Sequence, residues 1–362
     1  MSTSPPSDDP LPGDPAPLPA TPVMGPLPSP EANAHGQASP VGQDVFGSLH
    51  DNRLPPQFRR RVWLPLILFV CTCVTTFLAG CFHWQPEFLW NSPGYRLDRN
   101  GYVMRDARGR PVVATPLDAV RDNWRDGLTF MSCVIGVLLF HEMGHFLMTV
   151  RHRIPASYPY FIPMPIMLTG TMGAVISMDG SRANRKELFD IGLAGPLAGL
   201  VLTIPLVIIG IQTAKVVPEG PGTQFGDPLF VTLLLPLLRQ IPEGHVLHVN
   251  AIYMAGWVGM LITGLNMMPV SQLDGGHVSY AVLGPLARWV GRGLLVATVL
   301  FIVWGRAWNW SLMLLIVILI GMDHPPTADD TVKIGPLRWT LGLVSLLIPI
   351  FCFTPVPLDI VR

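Results

Sequence analysis

Apolar runs of membrane-crossing length constrain this chain more than any other feature, because a backbone in lipid must satisfy its own hydrogen bonds. The first is VWLPLILFVCTCVTTFLAGCF, residues 62 to 82, which at 1.5 Å per residue crosses a hydrocarbon core of about 30 Å. Further runs cover about 127 to 150, 188 to 212, 249 to 268, 289 to 305, 308 to 322 and 337 to 354. The stretch LFVTLLLPLL at 229 to 238 is shorter and interrupted by proline, so an interfacial position is expected. Composition agrees: 49% hydrophobic against 13% charged residues lies on the membrane side of ordinary soluble usage. The expected fold class is an all-α polytopic membrane protein with about six to seven transmembrane helices.

Charge placement orients these runs. Arg59, Arg60 and Arg61 precede the first, and Arg151-His152-Arg153 follows the second. By the positive-inside rule the N-terminus is cytoplasmic, the segment 83 to 126 is a small extracytoplasmic element, and the second run returns the chain to the cytoplasm. Residues 1 to 57, dense in Pro with Ser, Ala, Gly and Asp, read as a disordered tail without the basic start and cleavage site of a signal peptide. The formal net charge is zero, so nothing argues for nucleic acid. The expected location is a membrane, with the bacterial cytoplasmic membrane as the candidate. Cys71-Thr-Cys73 reads as small apolar packing in a helix, and no cysteine pair has zinc-ribbon spacing.

After the second run comes IPASYPYFIPMPIMLTGTMGAVISMDG. Its prolines forbid a regular helix, while its aromatic and β-branched residues favour extended chain. The expected form is a re-entrant, hairpin-like segment turning near Gly170 to Gly173. Such backbone survives at membrane depth only where protein or a water-filled cavity satisfies it.

The second run itself holds VLLFHEMGHFLMTV, residues 137 to 150. Ionisable residues inside a span are costly and mark functional sites. On a helix His141 and His145 share a face, so both imidazoles can reach one metal, with Glu142 turned towards the water that the metal would activate. A zinc hydrolase needs a third ligand and an open fourth position. Asp179, Asp190, Asp274 and His277 are the candidates near membrane boundaries. Asp274 is the best placed, because the glycines of Leu273-Asp274-Gly275-Gly276 permit a sharp turn that aims a carboxylate into the bundle. An ordinary turn at the membrane surface is its other reading. Asn266 and Pro269 end an apolar helix; the amide either bonds across helices or serves substrate and oxyanion. Ala194, Gly195, Pro196 and Gly199 read mainly as packing.

HEMGH in an apolar helix, then GTMGA, LAGPLAG and NMMPVSQLDGGH in this order, resemble the site-2 protease family of intramembrane zinc metalloproteases. HPPTADD, residues 324 to 330, looks like the carboxy-terminal part of that family's bacterial and plastid branch. The resemblance implies one Zn2+ per chain, held by His141, His145 and Asp274, with Glu142 as the base that activates water. It implies that Asn266 assists catalysis or holds substrate, and that Gly170 and Gly173 belong to a hairpin that presents the substrate. The expected partners are transmembrane protein substrates, the lipid bilayer and regulators of unidentified kind. The expected organisation is a tail (1–57), a first transmembrane helix (58–82), the external segment (83–126), the protease core (127–280) and additional C-terminal helices (281–362). The rival reading is a non-catalytic membrane protein that binds or passes zinc through the same ligands.

Overall fold

A computed structural model describes residues 62–84, 94–95, 103–219, 222–270, 272–305, 307–320, 327–354 and 356–361. The proline-rich tail, Arg59 to Arg61, much of the segment 83–126 and the first part of HPPTADD lie outside the described residues. In chain order the elements are α1 (Trp63–Cys81), β1 (Gly94–Tyr95), β2 (Val113–Ala114), α2 (Pro116–Arg151), β3 (Tyr160–Pro163) and β4 (Thr171–Val175). Then follow α3 (Arg185–Thr213), β5 (Lys215–Pro218), β6 (Gly222–Phe225), α4 (Leu229–Leu238), β7 (His245–His248) and α5 (Ala251–Asn266). The chain continues through α6 (Asp274–Leu283), α7 (Ala287–Trp304), α8 (Ser311–Ile320), α9 (Pro336–Ser345), α10 (Ile348–Cys352) and β8 (Leu358–Val361).

Helix dominates, and the strands form antiparallel pairs, β1 with β2, β3 with β4, β5 with β7 and β6 with β8. Helices α1, α2, α3 and the stretch Asp274–Trp304 are long and apolar enough to cross a membrane, and the protein is an integral membrane protein. Helix α5, with 16 residues, is only about 24 Å long, shorter than the run that predicts it. The final apolar run is divided between α9 and α10.

Local chemistry sets where the long helices begin. Thr115 and Asp118 form a reciprocal capping box, the Asp118 amide donating to Thr115 Oγ1 (3.2 Å) and the Thr115 amide to Asp118 Oδ2 (3.1 Å), with Pro116 pre-set for the first turn. Helix α2 therefore starts eleven residues before its apolar run, inside the segment read as external. It kinks at Asn123 (φ −115°, ψ 17°), whose amide donates to the Cys81 carbonyl at 3.0 Å and so satisfies an orphan group at the end of α1. Asn184 caps α3 in the same reciprocal way with Glu187.

Membrane helices approach closely where side chains are small. At the α1–α2 crossing, a Cβ added to Gly80 would lie 2.8 Å from Gly127 Cα and 2.9 Å from Phe130 Cβ. Between α2 and α3, one added to Gly144 would lie 2.5 Å from the Ala194 carbonyl oxygen. Around these crossings Phe130, Val134, Leu138, Met254 and Trp257 form a buried cluster. Arg185, at the start of α3, donates to the Ala281 carbonyl at 2.6 Å and ties α3 to the end of α6.

The β3–β4 hairpin pairs Tyr160 with Val175 and Phe161 with Ala174, then shifts register before Pro163 meets Thr171. Its turn closes through the Met164 amide and the Gly170 carbonyl (3.1 Å). Gly170, at φ +72°, is pressed against α1: a Cβ there would lie 2.5 Å from the Thr75 carbonyl oxygen. The hairpin is thus fixed to α1 on one side.

Gly80→Leu is expected to force α1 from α2 and cost about 1 to 3 kcal/mol, read as a lower unfolding midpoint in detergent. Gly293→Leu, where a Cβ meets nothing within 4 Å, serves as the control. Equal midpoints for the two variants would mean that the crossing is not close-packed.

Candidate metal centre

The site joins two helices far apart in sequence. His141 and His145, one turn apart on α2, bring their Nε2 atoms to 3.2 Å. Asp274, the first residue of α6, lies with Oδ2 3.1 Å from His141 Nε2 and Oδ1 3.3 Å from His145 Nε2. The three side chains each offer one ligand atom within 4.8 Å of the others, a set that could hold a metal ion. His141 is 2% exposed, Glu142 3% and His145 9%. Asn266, the last residue of α5, has Nδ2 3.3 Å from His141 Nε2.

Protonation geometry supports a metal. His145 Nδ1 lies 2.8 Å from the Ile191 carbonyl oxygen; a carbonyl oxygen can only accept, so Nδ1 carries a hydrogen and Nε2 is the nitrogen left to face a metal. That nitrogen faces the Asp274 carboxylate and His141 Nε2. Electron-pair donors converging in a buried space repel one another unless a proton or a metal cation sits among them. Glu142 and Asp274 place two carboxyl groups beside the two imidazoles, and a divalent ion would offset their charge. Imidazole nitrogens with a carboxylate oxygen form a donor set that zinc accepts, and three protein ligands leave a position open.

A cavity of about 380 Å³ opens beside these residues. His141, Glu142, His145, Asn266 and Asp274 line it from the helices, and Ala174 to Met178 from β4 and the chain after it. Strand β4 has its partner β3 along one edge.

The other candidate ligands have different partners. Asp179 pairs with Arg182 at 2.9 Å. Asp190 receives two hydrogen bonds from Arg338 of α9, at 2.8 and 3.1 Å, and lies 3.2 Å from His152. His277 lines the cavity from α6 but is outside the His141–His145–Asp274 group. Gly170 and Gly173 are not among the cavity-lining residues; the strand's contribution begins at Ala174. A Cβ on Gly173 would meet nothing within 4 Å. Sequence reasoning missed the Ile191 carbonyl, which as backbone leaves no signal in side-chain identity. It also passed over Gln272, which lines the cavity two residues before Asp274. All five cysteines are free and none belongs to the metal-ligand group.

Comparison with known proteins agrees with this geometry. Residues 129–303 match peptidase family M50. The chain is 30% identical over 243 residues to the Arabidopsis thaliana protein named "Probable zinc metalloprotease EGY1, chloroplastic", covering 62% of this chain and 42% of that protein. It is 31% identical over 232 residues to the protein of the same name in Oryza sativa subsp. japonica (61% and 39%). It is 26% identical over 262 residues to "Probable zinc metalloprotease EGY2, chloroplastic" of Arabidopsis thaliana (69% and 46%). The chain thus spans less than half the length of these relatives. No solved structure matches it. Residues 129–303, which carry the paired histidines, Glu142, Asn266 and Asp274, thus resemble peptidase family M50, the site-2 protease family.

Proposed function

We propose that the protein is an intramembrane zinc metalloprotease that hydrolyses peptide bonds in or beside transmembrane helices of other membrane proteins. The observation that carries this reading is the meeting of His141, His145 and Asp274 from two helices, with Glu142 buried beside them at one cavity. His141, His145 and Asp274 would hold one Zn2+ per chain. Bound zinc supplies Lewis acidity, polarising a carbonyl and bringing the pKa of water down to about 7.

The chain's own groups do the rest. Glu142 takes the proton from the attacking water and delivers it to the leaving amide nitrogen, so one carboxylate serves as base and then acid. Asn266 Nδ2 donates to negative charge developing on the substrate carbonyl oxygen, or holds the neighbouring backbone. A helical substrate shields its amides with its own hydrogen bonds, so it must unwind locally. Its extended form adds as a strand along β4, beside the residues that line the cavity. Gly173, with open space at its Cβ position, lets that backbone approach, and Gly170 holds the turn against α1. In this reading β3–β4 is re-entrant, sheltered by α1 and α2 rather than by lipid.

Six to seven spans, counting the short helices with the four long ones, and a cytoplasmic N-terminus complete the proposed topology. Its support is Arg151 in the last turn of α2 and Arg153 just beyond it. The proposed organisation keeps residues 127–280 as the protease core and 281–362 as additional helices. Membrane residence is the secure part of the location. A bacterial cytoplasmic membrane is our proposal, whereas the names of the relatives place those proteins in chloroplasts.

Glu142→Gln is expected to lower cleavage by about 10²-fold or more with zinc still bound. Its signature is the disappearance of new protein termini inside transmembrane segments when membranes expressing it are compared with wild type. Matching termini from two folded, zinc-loaded proteins would favour the metal-handling rival. Asp274→Ala leaves two imidazoles and should bring zinc per chain, measured by mass spectrometry of the purified protein, well below one; full retention would remove Asp274 as a ligand. Asn266→Ala should keep its zinc and lose about 10²- to 10³-fold in cleavage of a reconstituted transmembrane substrate. A rate close to wild type would reduce Asn266 to a packing residue.

A further inference from the structure

Three glycines of α3 lie against the proposed ligands and their helix. A Cβ added to Gly195 would fall on the imidazole of His145; one on Gly199 would lie 3.2 Å from His141 Nδ1; one on Gly192 would lie 2.9 Å from His277 Cβ and 3.3 Å from the Asp274 carbonyl oxygen. The contact at Gly195 is the most demanding, because the atoms in the way belong to a ring held on both sides. Its Nδ1 is bound to the Ile191 carbonyl at 2.8 Å, and its Nε2 lies 3.2 Å from His141 Nε2 and 3.3 Å from Asp274 Oδ1.

Ile191 and Gly195 are four residues apart on α3, so the Gly195 amide faces the Ile191 carbonyl within the helix. A carbonyl oxygen has a second lone pair, but a side chain four residues on would crowd the approach to it. Glycine at 195 leaves both the oxygen and the adjoining space open. We infer that Ile191 and Gly195 form a seat on α3 that positions His145: the carbonyl fixes the ring's tautomer and direction, and the missing side chain admits the ring. The glycine of LAGPLAG is then a positioning residue for the metal helix and more than a point of helix contact. This inference rests on reading His145 as a zinc ligand.

The test has two independent arms. Solid-state NMR of wild-type protein labelled with 15N-histidine in lipid, with His145 assigned by difference against His145→Gln, reads the tautomer directly. The seat requires hydrogen on Nδ1 of His145 in the metal-free protein, whether or not Nε2 is also protonated; hydrogen on Nε2 alone overturns it. In the second arm, Gly195→Ala is titrated with zinc against a competing chelator, and its metal-free unfolding midpoint is compared with wild type. Loss of an orienting partner commonly weakens metal affinity by about 10- to 100-fold, and that loss is expected in a folded variant. A variant that binds zinc within twofold of wild type would reduce Gly195 to packing. If Gly195→Ala does not fold, the tautomer decides. Wild-type protein that binds no zinc would refute the metal reading, while the tautomer would still decide the seat.

Discussion

The rest of this structure depends on charge balance in a place where water is scarce. Two carboxyl groups and two imidazoles meet inside a helical bundle, with Asp274 3.1 to 3.3 Å from both histidine Nε2 atoms. Removing unpaired carboxylates from water is prohibitive in a low-dielectric interior. A divalent cation among them would turn the arrangement into a source of cohesion, since it would cross-link α2 to α6. The same burial would make a bound metal effective, because electrostatic effects on a carbonyl grow as water is excluded.

Helix α3 holds this arrangement together. It packs against α2, α5, α6 and α9, approaches α2 closely at Gly144, and gives its Ile191 carbonyl to His145. At its start Arg185 clasps the end of α6, and Asp190 takes a two-pronged hydrogen bond from Arg338 of α9. In lipid, no hydrophobic gain drives helices together, so small residues and buried polar bonds decide their spacing. His141, His145 and Asp274 therefore inherit their geometry from contacts made by residues outside their group. The contact with α9 also shows that residues beyond the family match take part in the core.

Much of the site was legible in the sequence because its chemistry shows in residue identity and spacing. His141 and His145 are one helical turn apart, and their burial in an apolar run sets them against the cost of placing them there. Asp274 was harder: its turn reading and its ligand reading differ only in what lies across the bundle, which one strand of text cannot show. The alternatives Asp179 and Asp190 are occupied by arginines. The start of α2 was missed because the Thr115–Asp118 box begins a polar first turn, and hydrophobic periodicity sees only the apolar part. The Ile191 carbonyl was invisible for a more basic reason, since every residue has one and only tertiary contact selects it. The hairpin's extended character followed from its prolines and β-branched residues, whereas its attachment to α1 through Gly170 did not.

The most direct measurement is zinc K-edge X-ray absorption on the purified wild-type protein in lipid. The account predicts imidazole scattering from two histidines at about 2.0 to 2.1 Å, with the remaining ligands oxygen and no sulfur shell. A sulfur shell at about 2.3 Å would instead place zinc on one or more of the five free cysteines, and would contradict a centre built from His141, His145 and Asp274.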